Sequence, residues 1–298
     1  MIYAVTHRTT IRYSGLVSVA QFNVRLRPAP WPGQTVRDFV LTVDPLPWTR
    51  QDEPGSYIVN QSRLTVRDPI AQLTIDSRFT AEVLPSPVDY TKTTSPTVAE
   101  VRERALTLPD LTAWGPASYL FASPIASPEP EIAQWARGLI DDGMPVLAAG
   151  QALMRAIHQE FRYDSDATKT DTLPIEAFRK RHGVCQDFAH VMILAARAQG
   201  IPAAYVSGYL RTLPPPGLPR LVGADAMHAW AALWCGEGLG WVGFDPTNDV
   251  FARTDHIFVA MGRDYSDVAP LDGVFHGGSG QSMFFSVDVA PLEEVATL

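Results

Sequence analysis

A chain of 298 residues that is 46% hydrophobic and 19% charged can bury a sizeable core, which excludes a peptide, a disulfide miniprotein and an intrinsically disordered chain. With 32 acidic and 24 basic side chains the net charge is −8, which gives no electrostatic footprint for nucleic acid. The two cysteines, Cys185 and Cys235, are too few for a disulfide framework or a four-thiolate zinc site.

In chain order, residues 1 to about 90 read as strands: Ile2 to Tyr13, then Ala20 to Leu26 with alternating polar and apolar side chains, Val36 to Val43, Tyr57 to Val66 and Leu73 to Val83. Proline and glycine clusters at Pro28 to Gly33 and Pro45 to Gly55 separate them. This pattern predicts a small β-sandwich. Met1 to Tyr13 has no basic stretch followed by an unbroken apolar run, so no signal peptide is read. From Pro85 to Pro130 the composition shifts to Ser, Thr and Pro, with one helix expected from Val98 to Leu106. Helices follow at Glu131 to Ile140 and at Val146 to Phe161, where Leu153, Ile157 and Phe161 form an apolar stripe. A third, from about Val184 to Gln199, is apolar nearly all round and is expected to be central; Gly200 and Pro202 stop it. Its most apolar part, Ala189 to Ala198, contains His190 and Arg197 and is far short of the roughly 20 residues a bilayer needs. A cytoplasmic location and no membrane partner are therefore expected. Strands return at Ala203 to Arg211, Ala226 to Trp234, Gly240 to Phe244, Ile257 to Met261 and Ser282 to Val289. The expected division is a β-sandwich over 1–90, a connecting and helical segment over 91–145, and an α+β catalytic core with a C-terminal extension over 146–298.

Cys185 follows Gly183, which can make the turn that feeds the central helix, and so sits at a helix N-terminus. Unpaired backbone N–H groups and the positive end of the helix dipole there stabilise a thiolate, and the same groups can receive an oxyanion. The competing reading is a small buried hydrophobe. A nucleophilic thiol needs a base, and the stretch Asp225 to Asp245 supplies one. In a hairpin centred between Gly236 and Glu237, Ala232 opposes Trp241, Trp230 opposes Gly243, and His228 opposes Asp245. That sets an imidazole beside a carboxylate, which is what Cys/His catalysis requires. His228 alone could be a satisfied core histidine, and Asp245 alone a turn residue before Pro246. Cys185, Asp187 and His190 are a possible metal set, but steps of two and three residues put them on different faces of one helix, so no metal is expected. His7, His158, His182, His256 and His276 read as surface or packing residues, and Cys235, at the hairpin tip, as inert.

The run Gly183-Val184-Cys185-Gln186-Asp187-Phe188-Ala189-His190, followed by Gly200 to Ala203, Val206 to Tyr209, His228-Ala229-Trp230 and Gly240 to Asn248, strongly resembles the bacterial transglutaminase-like family. Gly262 to Tyr265 with Asp267-Val268 resembles that family's C-terminal continuation, and residues 1 to about 85 resemble its β-rich N-terminal region, His7 to Thr10 and Arg25 to Pro28 included. The resemblance implies an α+β chain in which the β-sandwich precedes a papain-like transglutaminase core of helices packed on an antiparallel sheet. It implies Cys185 as nucleophile, His228 as general base and acid, and Asp245 as the orienting carboxylate.

The expected chemistry is acyl transfer or hydrolysis at a peptide or carboxamide bond through a thioester on Cys185, without a cofactor. Protein crosslinking and a non-catalytic scaffold of the same fold are the alternatives. The backbone N–H of Cys185 is the first candidate oxyanion donor, with the side chain of Gln186 or Tyr163 as the second. Trp230 and Trp234 share the His228 face and are candidates to line a substrate groove. The loop Leu213 to Arg220 is expected to overhang the cleft. No loop carries the spaced acidic ligands of a calcium site.

Overall fold

The alternation of buried and exposed side chains that begins at Ile2 continues to Val24, so the first two expected strands are one 23-residue strand, β1 (Ile2–Val24). In the computed structural model, which describes residues 1–164, 172–212, 225–277 and 280–292, β1 is the spine of a curled antiparallel sheet. Its neighbours are β2 (Gln34–Asp44), β3 (Thr49–Pro54), β4 (Asn60–Val66) and β5 (Ile70–Val83), in the order β2-β5-β1-β4-β3. The register with β5 shifts between Arg12 and Val17. Bulges of this kind bend a strand and increase its twist, which lets one strand pair with β5 along its first half and β4 along its second. The expected sandwich takes the form of this curled sheet. β3 falls in the Pro45 to Gly55 cluster that reads as a turn region; its residues Thr49–Pro54 are exposed almost throughout. It is an edge strand held by backbone pairing to β4 and by the Arg63–Glu53 ion pair at 2.8 Å, so it carries no apolar alternation to betray it.

Helix α1 (Val98–Thr107) begins where expected, because Thr97 and Glu100 form a reciprocal cap: the Thr97 N–H donates to Glu100 Oε2 at 2.7 Å and the Glu100 N–H to Thr97 Oγ1 at 3.3 Å. Helices α2 (Pro130–Arg137) and α3 (Val146–Glu160), the short strand β6 (Arg162–Tyr163), helix α4 (Pro174–Lys180) and the short strand β7 (His182–Gly183) lead to the central helix α5 (Cys185–Ala198). Every residue of α5 from Asp187 to Ala196 is buried, Asp187 and His190 included, as expected of a helix that is apolar nearly all round. It packs on a second antiparallel sheet of β8 (Ala203–Leu210), β9 (Met227–Trp234), β10 (Trp241–Asp245), β11 (Val250–Phe251) and β12 (His256–Gly262), in the order β11-β10-β9-β8-β12. No described helix is long and apolar enough to cross a membrane.

After the short helix α6 (Tyr265–Val268), the chain returns to the first sheet. β13 (Leu271–Gly277) pairs with the second half of β1 and β14 (Gln281–Pro291) with the first half. The strand read at Ser282 to Val289 thus belongs to the N-terminal sheet and not to the sheet under α5. Tyr3, Val5, Phe79 and Ala81 of the first sheet share one apolar cluster with Leu153, Phe188, Ile193 and Leu233, so the two halves are joined by a continuous core. The loop expected over Leu213 to Arg220 lies outside the described residues.

Two buried histidines make this core sensitive to acid. His7 lies between the Tyr209 hydroxyl at 2.9 Å and Thr9 Oγ1 at 3.1 Å, and His190 Nε2 accepts the Tyr265 N–H at 3.2 Å. Burial pulls both from 6.5 to about 4. A group with a depressed folded-state value contributes stability that is present above its unfolded value and lost as pH falls toward the folded one. The melting temperature is therefore expected to drop as pH is lowered from 6.5 toward 4. A flat melting temperature across that interval contradicts this account.

Candidate active site

The first residue of α5 is placed by a carboxylate. Asp187 Oδ2 accepts the Val184 N–H at 2.8 Å, which starts the helix at Cys185 and puts an acidic group in the first turn, where the dipole favours it. β7 is paired in parallel with β6, Arg162 with His182 and Tyr163 with Gly183. The left-handed residue of this approach is Arg181, with φ 55°, while Gly183 lies in extended strand. Glycine is needed there for space, since a Cβ would stand 2.5 Å from Asp187 Oδ2 and 2.9 Å from its Cγ. Gly183→Ala is therefore expected to displace Asp187, release the Val184 N–H and shift Cys185. The alkylation rate of Cys185 by iodoacetamide should fall about tenfold or more, because an ångström-scale misplacement has effects of that order. An unchanged rate contradicts the role given to Gly183.

The hairpin that carries the other two residues forms with a register two residues from the expected one. Trp241 pairs with Trp234 and Gly243 with Ala232, because the turn is longer: the Cys235 N–H donates to the Gly240 carbonyl at 2.8 Å, and Gly236 and Gly240 have φ of 90° and 64°. A slip of two leaves every side chain on its face. His228 and Asp245 remain on one face, now as diagonal neighbours, and His228 Nε2 meets Asp245 Oδ2 at 2.8 Å.

Asp245 is fully buried and saturated with donors. Its Oδ1 accepts the backbone N–H of Thr247 at 3.0 Å and of Asn248 at 3.3 Å, and its Oδ2 accepts Asn248 Nδ2 at 2.7 Å, His228 Nε2 at 2.8 Å and His256 Nε2 at 3.0 Å. Burial alone raises a carboxyl, but here the bonds from the two imidazoles and the charge of His228 hold Asp245 well below the usual carboxylate range. Cys185 is among the groups that act on the His228 ring, which puts its sulfur in the electrostatic neighbourhood of the imidazole. With Nε2 committed to Asp245, Nδ1 is the nitrogen left for a further partner. Burial disfavours the imidazolium, yet the bond to Asp245 and the action of Cys185, with the negative charge of both, outweigh it and lift His228 to about 10. Cys185 is half-buried. Cys235 is wholly buried, its thiol near the Leu233 carbonyl at 3.6 Å and pushed up by burial.

Of the other residues singled out from the sequence, Tyr163 is 55% exposed. Its hydroxyl is pushed up by burial and by the charge of Cys185, which puts it in the electrostatic neighbourhood of the sulfur. Gln186 occupies the second position of α5, half-buried. Trp230 is buried and stacks on His228, with ring centroids 6.2 Å apart. It lies over Gly208, where a Cβ would come within 2.5 Å of the indole. Together with Trp31, Trp114 and Trp241 it lines a cleft of about 400 Å³ between the two sheets. Trp234 is buried in the main core. His256, read from the sequence as a surface or packing residue, is in the site. Its one sequence signal is a histidine opening the otherwise apolar strand Ile257 to Met261.

His228, Asp245 and His256 bring their ligand-type atoms within 4.8 Å of one another, the geometry at which a metal must be considered. Both imidazole Nε2 atoms converge on a single Asp245 oxygen at hydrogen-bond distance. His256 Nδ1 accepts the Arg253 N–H at 3.3 Å, so its Nε2 carries the proton. As placed, each of the two Nε2 atoms donates to Asp245, so the trio forms a hydrogen-bond network.

The family profile for the Transglutaminase-like superfamily matches residues 133–246, and that for the Bacterial transglutaminase-like N-terminal region matches residues 3–82. An uncharacterized protein of Mycobacterium tuberculosis is 37% identical over 298 residues, covering 98% of this chain and 93% of the relative. The protein-glutamine gamma-glutamyltransferase of Pseudomonas aeruginosa is 37% identical over 123 residues, which is 39% of this chain and 18% of that enzyme. Among solved structures, a protein from Cytophaga hutchinsonii proposed to be a cysteine protease has a TM-score of 0.75 at 21% identity, covering 98% of this chain and 92% of that one. This last likeness is one of fold.

Proposed function

Because the chain belongs to the transglutaminase-like superfamily and carries its bacterial N-terminal region, we propose that it is a thiol-dependent acyl-transfer enzyme acting on a peptide or protein amide, with Cys185, His228 and Asp245 as its catalytic group. The observation that carries this reading is the His228 imidazole bonded through Nε2 to the buried Asp245 carboxylate, with Cys185, which acts on that ring, at a helix N-terminus.

In the proposed cycle the Cys185 thiolate attacks the amide carbonyl carbon while the His228 imidazolium waits at Nδ1. The backbone N–H of Cys185 receives the developing oxyanion, and the Tyr163 hydroxyl or the Gln186 amide is the second donor. His228 then gives its Nδ1 proton to the leaving amine as the C–N bond breaks, which leaves a thioester on Cys185. The neutral imidazole next takes a proton from water or an acceptor amine, whose attack releases the acyl group and restores the thiolate. Asp245 holds the ring and stabilises its charged form throughout. No step calls for a metal or a cofactor.

Hydrolysis is the first reading of the second half-reaction, since Cys185 is half-buried and the neighbouring Tyr163 is open to solvent, so water reaches the thioester. Transfer to an amine acceptor, as in crosslinking, is the second, and the Pseudomonas aeruginosa relative is a protein-glutamine gamma-glutamyltransferase. With a glutamine-containing peptide and a primary amine in excess, mass spectrometry is expected to find mostly free acid. Dominant amide exchange reverses the order of the two readings. A Cys185 that reacts with an amide-mimicking electrophile no faster than free glutathione supports the scaffold reading and defeats the proposal.

A further inference from the structure

Asp245 is held from three directions. The donors from Thr247 and Asn248 belong to the turn that follows Asp245 itself and move with it. His228 is the group that must be oriented. The remaining donor, His256, comes from the start of β12, which two strands, β8 and β9, separate from β10 in the sheet. Its reach to Asp245 spans that sheet, and Trp230 stands edge-on to it with ring centroids 5.2 Å apart.

We propose that His256 is a positioning residue, which anchors the Asp245 carboxylate to the far strand by an Nε2–H bond so that Oδ2 stays aimed at His228. This rests on the roles proposed for Cys185, His228 and Asp245. The tautomer follows from the partner on the other nitrogen: Arg253 donates its backbone N–H to Nδ1, so the ring proton sits on Nε2 and points at Asp245. His256 is buried, and its bond is made in a setting where one hydrogen bond to a charged group has a large effect. Without it the carboxylate is tied only to its own turn and to the ring it is meant to steer, and either could swing.

The test is the rate at which iodoacetamide alkylates Cys185, followed by peptide mass spectrometry at a pH of about 6, below the range of an ordinary thiol. Two substitutions separate positioning from packing. In His256→Gln the side-chain amide nitrogen reaches the place of Nε2 and can still donate to Asp245. In His256→Asn the side chain reaches only the place of Nδ1, so the Arg253 contact survives and the Asp245 contact is lost. His256→Gln is expected to react within about threefold of the unsubstituted protein and His256→Asn to be slower by about tenfold or more, the effect of one charge-assisted hydrogen bond. Equal rates in His256→Asn and the unsubstituted protein overturn the inference, and so do equally slow rates in both variants, since the imidazole then matters for its shape. The unsubstituted protein provides a check that needs no variant: nitrogen-15 spectra are expected to show His256 protonated at Nε2, and protonation at Nδ1 overturns the inference. If the unsubstituted protein shows no Cys185 reactivity above that of glutathione at this pH, the catalytic reading itself falls, an outcome distinct from those above.

Discussion

Replacement of Cys185 by Ala is expected to abolish acyl transfer, a fall of about 10⁴-fold or more, with the melting temperature changed by only a few degrees. The sulfur contributes little packing because the residue is half-buried at the first position of α5. Its loss leaves a small, solvent-accessible gap, and alanine is at least as good a helix former. The helix start survives, because the Asp187 bond to the Val184 N–H does not involve the thiol. Cys235→Ser should behave the opposite way. That thiol is wholly buried in the main core, so a hydroxyl there costs about 1–3 kcal/mol of stability unless it finds a partner, while activity stays near that of the unsubstituted protein. Equal loss of activity in the two variants would mean that the nucleophile is not Cys185.

Asp245→Asn should keep the shape of the site and lose its charge. Burial disfavours the His228 imidazolium, and the bond to Asp245 is the foremost of the effects that overcome it and lift the ring to about 10. With a neutral amide in place of the carboxylate that support is lost, and of the groups named only Cys185 still opposes burial. His228 as general acid is fully protonated below its folded-state value and loses the proton as pH rises through it. The alkaline limb of kcat/KM is therefore expected near 10 in the unsubstituted protein and at least about one unit lower in the variant. The turnover number should fall by about 10²- to 10⁴-fold with KM little changed, since the interaction acts on the transition state. Stability follows the same linkage. The raised value of His228 contributes stability that is fully present below 6.5 and lost as pH rises through about 10, so alkaline destabilisation should be weaker in the variant. A higher KM at unchanged kcat, or an alkaline limb that does not move, would show that Asp245 has another role.

The parts of this site that are legible in the sequence are those set by local chemistry. Cys185 is placed at a helix entrance by the apolar run that follows it, and the strand alternation through His228 and Trp241 to Asp245 puts the imidazole and the carboxylate on one face. That conclusion survives a register slip of two because side-chain direction repeats every two residues. The slip was not legible, since the turn Cys235 to Gly240 closes through glycines whose conformation local composition does not specify. His256 was not legible for a different reason. Its contact with Asp245 depends on strand order, which carries β12 past β8 to the far side of the sheet, and no local pattern encodes that. The same holds for β14, an alternating strand whose partner β1 lies at the other end of the chain, and for β3, whose polar residues are held by an edge. Gly183 was legible as a glycine that matters but not in its reason, which is the close approach of Asp187.

The account turns on one covalent event, the transfer of an acyl group to Cys185. It is tested most directly by mixing the protein with p-nitrophenyl acetate, quenching in acid and locating the acetyl group by peptide mass spectrometry, with His228→Ala treated in parallel. The predicted result is acetylation of Cys185, none on Cys235, removal of the label by hydroxylamine as for a thioester, and a much slower reaction in His228→Ala. Cys185 acetylated no faster than glutathione, or at the same rate with and without His228, would contradict the central claim.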